Sequence, residues 1–154
     1  MSYGSTAARW LVRLTAPALL SLLAAVPAHA QGGAGIRGGV SVDPDQFYFG
    51  GHANVGPVVG SLWFRPNVEV GVGKDVKLLA LNPELAYWLG KRTAWRAYLG
   101  GGPALNIYFN NGSETRAGLN FLLGVAHRGG FFAEVKVGAF DSPNAKLGAG
   151  FTFR

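Results

Sequence analysis

Histidine is the residue type in this chain best suited to catalysis, because imidazole is a common general base and metal ligand. The 154-residue chain has no cysteine, which excludes disulfides, thiol nucleophiles and thiolate metal sites. His29 lies in an N-terminal segment discussed below, which leaves His52 and His127. A nucleophile needs its base within hydrogen-bond reach, and no nucleophile motif accompanies His52. Two isolated histidines also lack metal-ligand spacing. We therefore interpret His52 as a packed, hydrogen-bonded side chain, and predict no catalytic, cofactor-binding or metal-binding residue.

Two further patterns suggest ligands only weakly. The glycine run 100–102 opens no helix and lacks the Lys-Ser/Thr of a phosphate-binding loop. Its role is better explained by a bend or a close approach of strands. The acids Asp43, Asp45 and Asp141 could bind divalent cations, but no calcium-loop ligand series surrounds them. We interpret them as solvated turn residues.

The N-terminal segment, residues 1–30, has the pattern of a cleaved signal peptide. Arg9 and Arg13 form a positive region, an apolar run covers residues 14–26, and Ala28-His29-Ala30 is a small-x-small cleavage site. The run is too short for a transmembrane helix, which needs about 20 apolar residues. The signal peptide contains two of the fourteen Lys and Arg residues, so the net charge of +6 overstates the basicity of the rest. Without a basic cluster, we predict no nucleic-acid partner.

The remaining residues, 31–154, are predicted to form one all-β domain. Charged residues make up 14% of the chain, against about 25% in ordinary soluble domains. Apolar and polar residues alternate between turn signals, and no window keeps a helical period. The predicted strands are long enough to cross a bilayer, which takes about 9–11 tilted residues. They cover residues 34–42, 46–55, 61–73, 76–89, 94–109, 115–126, 130–140 and 145–153.

Each predicted strand has one aliphatic face and one face of charged residues and glycine. In the sixth strand, Leu119 and its apolar neighbours alternate with Arg116, Gly118 and Asn120. A soluble ligand-binding barrel would turn the aliphatic face inward, whereas a membrane barrel would turn it outward. Glycine suits the narrow lumen of an eight-stranded barrel better than a solvated surface. We therefore predict an eight-stranded antiparallel up-and-down transmembrane β-barrel, preceded by a cleaved signal peptide.

The mixed face should then form a polar lumen in which buried charges pair. The predicted lumenal cations are Arg37, Arg65, Arg96, Arg116, Lys136 and Lys146, and the acids are Glu69, Glu84 and Glu134. Glycines should lie opposite the bulky lumenal residues Tyr48, Trp88 and Tyr98. Outward aromatics should form two girdles, with Phe64, Tyr87, Trp95, Phe131 and Phe153 at one end and Phe47, Phe49 and Phe109 at the other. Three prolines, Pro66, Pro83 and Pro103, predict bulges or kinks within strands three to five.

These features resemble the small outer-membrane β-barrel proteins of Gram-negative bacteria, the OmpA-type and opacity-type barrels. The resemblance covers residues 31–154 and depends on the signal peptide, the strand count and several short motifs. The motifs are Phe47-Tyr48-Phe49-Gly50-Gly51, residues 65–71, residues 81–85, Gly100-Gly101-Gly102, Asp141-Ser142-Pro143 and Gly150-Phe151-Thr152-Phe153. The resemblance implies outer-membrane localisation, lipid and lipopolysaccharide around a monomer, and insertion by the barrel-assembly machinery. That machinery usually reads a terminal aromatic, whereas here Phe153 is penultimate and Arg154 is last.

The predicted function is that of a structural or surface-interaction barrel with a closed polar lumen and no enzymatic activity. One alternative within the same fold is a narrow, low-conductance passage or a small-ligand site. Two further hypotheses are a soluble periplasmic ligand-binding barrel and an enzyme that acts on lipid A. Such an enzyme would need a catalytic partner for His52, and the sequence shows none. With both termini periplasmic, residues 110–114 should face outside and residues 90–93 the periplasm.

Overall fold

A computed structural model describes residues 32–153 as an all-β chain, so the predicted signal peptide and Arg154 lie outside the described residues. Alternating sequences with turn residues between them form nine strands in the described part. They are β1 (Ala34–Val42), β2 (Gln46–Ala53), β3 (Gly56–Val59), β4 (Leu62–Gly73), β5 (Lys77–Trp88), β6 (Trp95–Phe109), β7 (Ser113–His127), β8 (Phe131–Phe140) and β9 (Ala145–Phe153). Residues 32–153 contain no helix that is both long and apolar enough to span a bilayer.

The nine strands close into an antiparallel eight-stranded barrel, because β2 and β3 together occupy one of the eight positions around the wall. We call each of these positions a stave. Neighbours along the chain pair in order from β4 to β9, β1 pairs with both β9 and β2, and β2 pairs with β4. The short β3 pairs only with β4 and continues the stave of β2. The predicted fold class, an eight-stranded antiparallel up-and-down barrel, is confirmed.

The connection between β2 and β4 differs from the prediction. The sequence predicts a strand over 46–55 and a turn at Gly56-Pro57, but those two residues begin β3. The reversal lies instead at Gly60, which has a φ of +53°. Proline is tolerated in β3 because this strand is paired on one side only, so the missing N–H removes no bond from a second ladder.

The three prolines lie on the outward face of β4, β5 and β6, where they affect the two ladders differently. Pro66 and Pro83 are register partners, and the β4–β5 pairing continues through them. Between β5 and β6, pairing stops after Leu81–Leu105 and resumes at Leu85–Gly101. The register is the same on both sides of this gap, so the prolines cause no predicted bulge in these ladders but a local break in the β5–β6 pairing, where Pro83 faces the stretch that contains Pro103.

The barrel has the polarity predicted for a membrane protein, with polar groups inside and apolar groups outside. Buried lumenal residues of β4 and β8 include Arg65, Glu69 and Lys136, each at most 2% exposed. On the outside, Leu123 and Leu147 are 59% and 60% exposed. A soluble ligand-binding barrel requires the opposite arrangement, so this polarity argues against that alternative.

Exposed aromatic side chains occur near both ends of the barrel, as the sequence predicts. We call the end where β1 begins and β9 ends the terminal rim; its three reversals are residues 60–61, 89–94 and 128–130. The opposite end, the distal rim, has the turns 43–45, 74–76, 110–112 and 141–144. Exposed aromatics near the terminal rim are Tyr87, Trp95, Phe131 and Phe153, and those near the distal rim are Phe47, Phe49, Phe109 and Phe140. Phe140 is not among the predicted residues, and the predicted Phe64 is half-buried.

Candidate functional site

The lumen contains a network of ion pairs centred on Glu69. Arg37 Nη1 and Lys136 Nζ lie 3.1 and 3.0 Å from Glu69 Oε1, and Lys146 Nζ lies 2.7 Å from Oε2. Lys136 also donates to Glu84 Oε1 at 2.7 Å. The cations reach these acids across the barrel from β1, β8 and β9. The network therefore ties together staves that are not neighbours in the sheet.

Glu134 is the second centre of the network. Its Oε1 lies 2.9 Å from Arg37 Nη1, and its Oε2 accepts hydrogen bonds from Arg65 Nη1 at 3.2 Å and Tyr98 Oη at 2.8 Å. Side chains in these ion pairs are at most 3% exposed. Buried charges are tolerated only when they are paired and hydrogen-bonded. The pairing predicted for the lumen is thus present, with four cations and three acids in the described network.

Aromatic rings fill the space beside these charges. The Arg65 guanidinium carbon lies 4.7 Å from the ring centroid of Tyr98 and 4.9 Å from that of Phe132, and Arg37 lies 5.5 Å from Phe132. Arg37 Nε and Nη2 and Arg65 Nε have no hydrogen-bond partner among the described residues. Desolvated guanidinium groups gain attraction from a ring face, so Phe132 stabilises the charge that the carboxylates leave uncompensated.

Glycines make room for these rings, as the alternation predicts. A Cβ atom at Gly124 would clash with the ring of Tyr98, one at Gly148 with the Tyr48 hydroxyl, and one at Gly150 with Phe132. The interior of an eight-stranded barrel is just wide enough for side chains to fill it. The rings can therefore fill the lumen only because glycine lies opposite each of them.

A chain of amide side chains crosses the lumen where the β5–β6 ladder is broken. Asn120 Nδ2 donates to Asn82 Oδ1 at 2.9 Å, and Asn82 Nδ2 donates to Asn67 Oδ1 at 2.8 Å. Asn67 Nδ2 completes the chain by donating to Glu84 Oε2 at 2.7 Å. These bonds link β7, β5 and β4, so side chains supply cross-strand bonds next to the prolines. The sequence does not single out Asn82, because nothing in the local alternation indicates which lumenal amides meet.

His52 is lumenal and hydrogen-bonded, as interpreted from the sequence. Its Nε2 lies 2.9 Å from Thr152 Oγ1, a hydroxyl 100 residues away in the chain that no local motif could reveal. Both residues are buried, at 5% and 6% exposure, and His52 Nδ1 has no partner among the described residues. The ring packs edge-on against Phe132, but among residues 32–153 no acid or amide bonds its Nδ1 as the third group of a catalytic triad would. His127, by contrast, ends β7 and packs against Trp95 with ring centroids 4.9 Å apart.

Two predicted lumenal cations lie elsewhere. The Arg116 side chain is 46% exposed and pairs with Glu114 and Asp141. It is exposed because the β7–β8 pairing ends at Gly118, so that the part of β7 containing Arg116 extends beyond β8. Arg96 lies at the terminal rim, where its Nε and Nη2 donate to the carbonyls of Leu89 and Trp88 at 3.2 and 3.3 Å. Strand alternation places both side chains on the correct face of their strands, but it does not predict how far along the barrel axis they lie.

The turn 141–144 closes the distal mouth of the lumen. Asn106 Nδ2 and Tyr108 Oη each donate to the Asp141 carbonyl at 2.9 Å, and the Ser142 side chain is buried against Gly118. Asn144 Nδ2 donates to Asp43 Oδ2 at 2.8 Å and so joins two turns. Across residues 32–153, no three His, Asp or Glu side chains are placed to hold a metal ion.

The terminal rim contains an open cup of about 270 Å³. Two open clefts of about 440 and 490 Å³ lie at the distal rim, around the turns 43–45 and 74–76. Trp63 and Trp88 form part of its wall, and Arg92, Arg96, His127 and Arg128 also line it. The Arg96 guanidinium carbon lies 5.5 Å from the Trp88 ring centroid. The sequence singles out none of these residues as a site, because three different strand connections bring them together.

Comparison with solved structures finds one of the same architecture, the crystal structure of Neisserial surface protein A. Its sequence is 20% identical, the match covers 78% of this chain and 94% of that chain, and the TM-score is 0.60. The two chains share a fold. No family model matches the sequence, and a search of curated proteins also finds no match.

Proposed function

We propose that this chain is an outer-membrane β-barrel protein of a Gram-negative envelope, with a structural or surface-interaction role and no enzymatic activity. One observation carries the proposal: the outer surface of the barrel is apolar while its interior is ion-paired. Phe47, Leu123 and Leu147 are 75%, 59% and 60% exposed and belong to an apolar surface that extends around the staves. Monomeric soluble proteins rarely expose continuous apolar surfaces of this kind. Lipid around the staves would cover it, with aromatic rings near both rims at the interfaces.

The role in the envelope is inferred from the lumen and from the fold. The lumenal network leaves residues such as Glu84 and Tyr98 fully buried, which favours a packed core over a passage. Neisserial surface protein A, which shares the fold, is named as a surface protein. We extend that role to this chain, as a monomer that is inserted by the barrel-assembly machinery into lipid and lipopolysaccharide.

Fractionation of cells that express the full chain tests the location. We expect the protein in the outer-membrane fraction, extractable only with detergent and with a faster electrophoretic mobility before boiling than after. Recovery from the soluble periplasm without detergent would overturn the proposal. Mass analysis of lipid A from the same cells tests for an enzyme, and an expression-dependent change in its acyl or phosphate groups would contradict the non-enzymatic role.

Accessibility of the turns tests the orientation. A tag inserted at Asn111, in the β6–β7 turn, should be labelled on intact cells, whereas a tag at Lys91, in the β5–β6 connection, should not. Both insertions lie in exposed connections, so the barrel should tolerate them equally. Labelling only at Lys91 would reverse the orientation and place the termini outside.

A further inference from the structure

Charge is unevenly distributed along the barrel axis. All eight acidic residues lie in the described chain, and none lies at the terminal rim. Three of them, Glu69, Glu84 and Glu134, are lumenal and paired. The other five are Asp43, Asp45, Asp75, Glu114 and Asp141, in or near the distal turns. The terminal rim has the basic residues Lys91, Arg92, Arg96 and Arg128, so within residues 32–153 this end of the barrel is basic.

We propose that the cup at the terminal rim binds phosphate, either on a lipid headgroup or on a small soluble compound. Arg92 and Arg96 line the cup, and neither lies within ion-pair distance of a carboxylate in the described part of the chain. Guanidinium groups present planar, paired N–H donors that match phosphate oxygens. The cup volume, about 270 Å³, accommodates a phosphate group with a small substituent.

Arg96 is held in position for this role. Its Nε and Nη2 donate to the Leu89 and Trp88 carbonyls, and its guanidinium lies over the Trp88 ring. These contacts fix the side chain but do not neutralise it, because carbonyls and ring faces carry only partial charge. A fixed and uncompensated guanidinium binds an anion without the full entropic cost of ordering its own side chain.

His127 adds a donor beside the arginines. Its Nδ1 accepts the Gly129 N–H at 3.1 Å, so in the neutral ring Nε2 must carry the proton. The ring packs on Trp95, which limits its rotation. The cup therefore has hydrogen-bond donors and a wall of aromatic side chains. Its described lining includes no carboxylate that would repel an anion.

Tryptophan fluorescence of the chain from Gln31 onward, refolded in octyl glucoside, tests the proposal. Trp63 and Trp88 line the cup, and a Trp95→Phe background removes the remaining tryptophan of that chain. Inorganic phosphate, titrated at constant ionic strength, should give a saturable change. Arg96→Gln should weaken binding about tenfold or more, and Arg92→Gln, which alters an exposed side chain, should weaken it without affecting folding.

Lys74→Gln is the matched control, because it removes one charge from an exposed turn at the distal rim. Its affinity for phosphate should equal that of the parent. A parallel titration with micelles containing short-chain phosphatidylglycerol distinguishes the source: a response to these micelles but not to inorganic phosphate identifies a lipid headgroup. No saturable response to either probe, or equal weakening by Lys74→Gln and Arg92→Gln, would overturn the proposal. The refolded barrel binds or fails to bind in detergent whatever its cellular location, so this result is independent of the fractionation test.

Discussion

At the scale of single residues, the lumenal carboxylates decide whether the interior can be closed. The Glu134 carboxylate pairs with the charges of Arg37 and Arg65 and accepts a hydrogen bond from the Tyr98 hydroxyl, and all of these side chains are buried. Glu134→Ala should therefore destabilise the barrel by about 3–5 kcal/mol, because it leaves buried guanidinium charge uncompensated. Thermal or urea unfolding in detergent measures this change.

Glu114→Ala is the control for that substitution. Glu114 pairs with Arg116 in an exposed position, and such pairs contribute little to stability. The control should unfold at nearly the same temperature as the parent. Equal loss of stability in the two variants would show that the lumenal network is not the source of the effect.

Lumenal glycines leave the space that the lumenal aromatic rings occupy. Gly124→Ala should destabilise by about 1–3 kcal/mol, because the added methyl group meets the Tyr98 ring. Gly112→Ala, at a turn where the nearest atom is 3.9 Å from the added carbon, should change stability little. In a Tyr98→Leu background the penalty at Gly124 should shrink. If Gly124→Ala lowers the free energy of unfolding as much in that background as in the parent, then contact with the Tyr98 ring is not the cause of the loss.

At the scale of strands, alternation alone assigns most residues to the correct side of the wall. Leu119 and Asn120 lie on opposite faces of β7, as predicted, because the side-chain period of a strand is two. Height along the barrel is not encoded in that period, so alternation predicts Arg96 and Arg116 in the lumen although they lie near its two ends. Partners such as Thr152 for His52 depend on register between distant strands, which local patterns do not specify.

The outward face of β7 should show a depth-dependent cost for charge. Leu119→Arg, near the middle of β7, should destabilise by about 2–4 kcal/mol if the barrel spans a bilayer. Thr115→Arg, on the same face but nearer the distal rim, should cost about 0–1 kcal/mol because the charge reaches the interface. Unfolding of the refolded barrel in lipid gives both values. Equal tolerance at the two positions would contradict a lipid-facing β7.

At the scale of the whole molecule, the two ends of the barrel differ in charge and in how the lumen ends. The turn 141–144 covers the distal mouth, and the open clefts beside it have Asp43, Asp45 and Asp75 in their lining, whereas the cup at the terminal rim is basic. The sequence predicts the eight staves and the polar lumen but not this difference. A turn motif such as Asp141-Ser142-Pro143 indicates a reversal, and only the closed barrel determines that Ser142 folds against Gly118.

The closed interior predicts that the barrel does not conduct ions as a porin does. Between the distal turn and the terminal cup lie the ion-paired network around Glu69 and Glu134 and the rings of Tyr98 and Phe132, each at most 3% exposed. An eight-stranded wall leaves no space beside such side chains for a continuous water column. Purified protein in planar bilayers should show no steady conductance, under conditions in which a general porin gives stable open levels. Glu134→Ala should lose stability without opening a channel, because its neighbours still fill the lumen. Large, steady currents from the parent protein would contradict the closed lumen and favour a passage through the barrel.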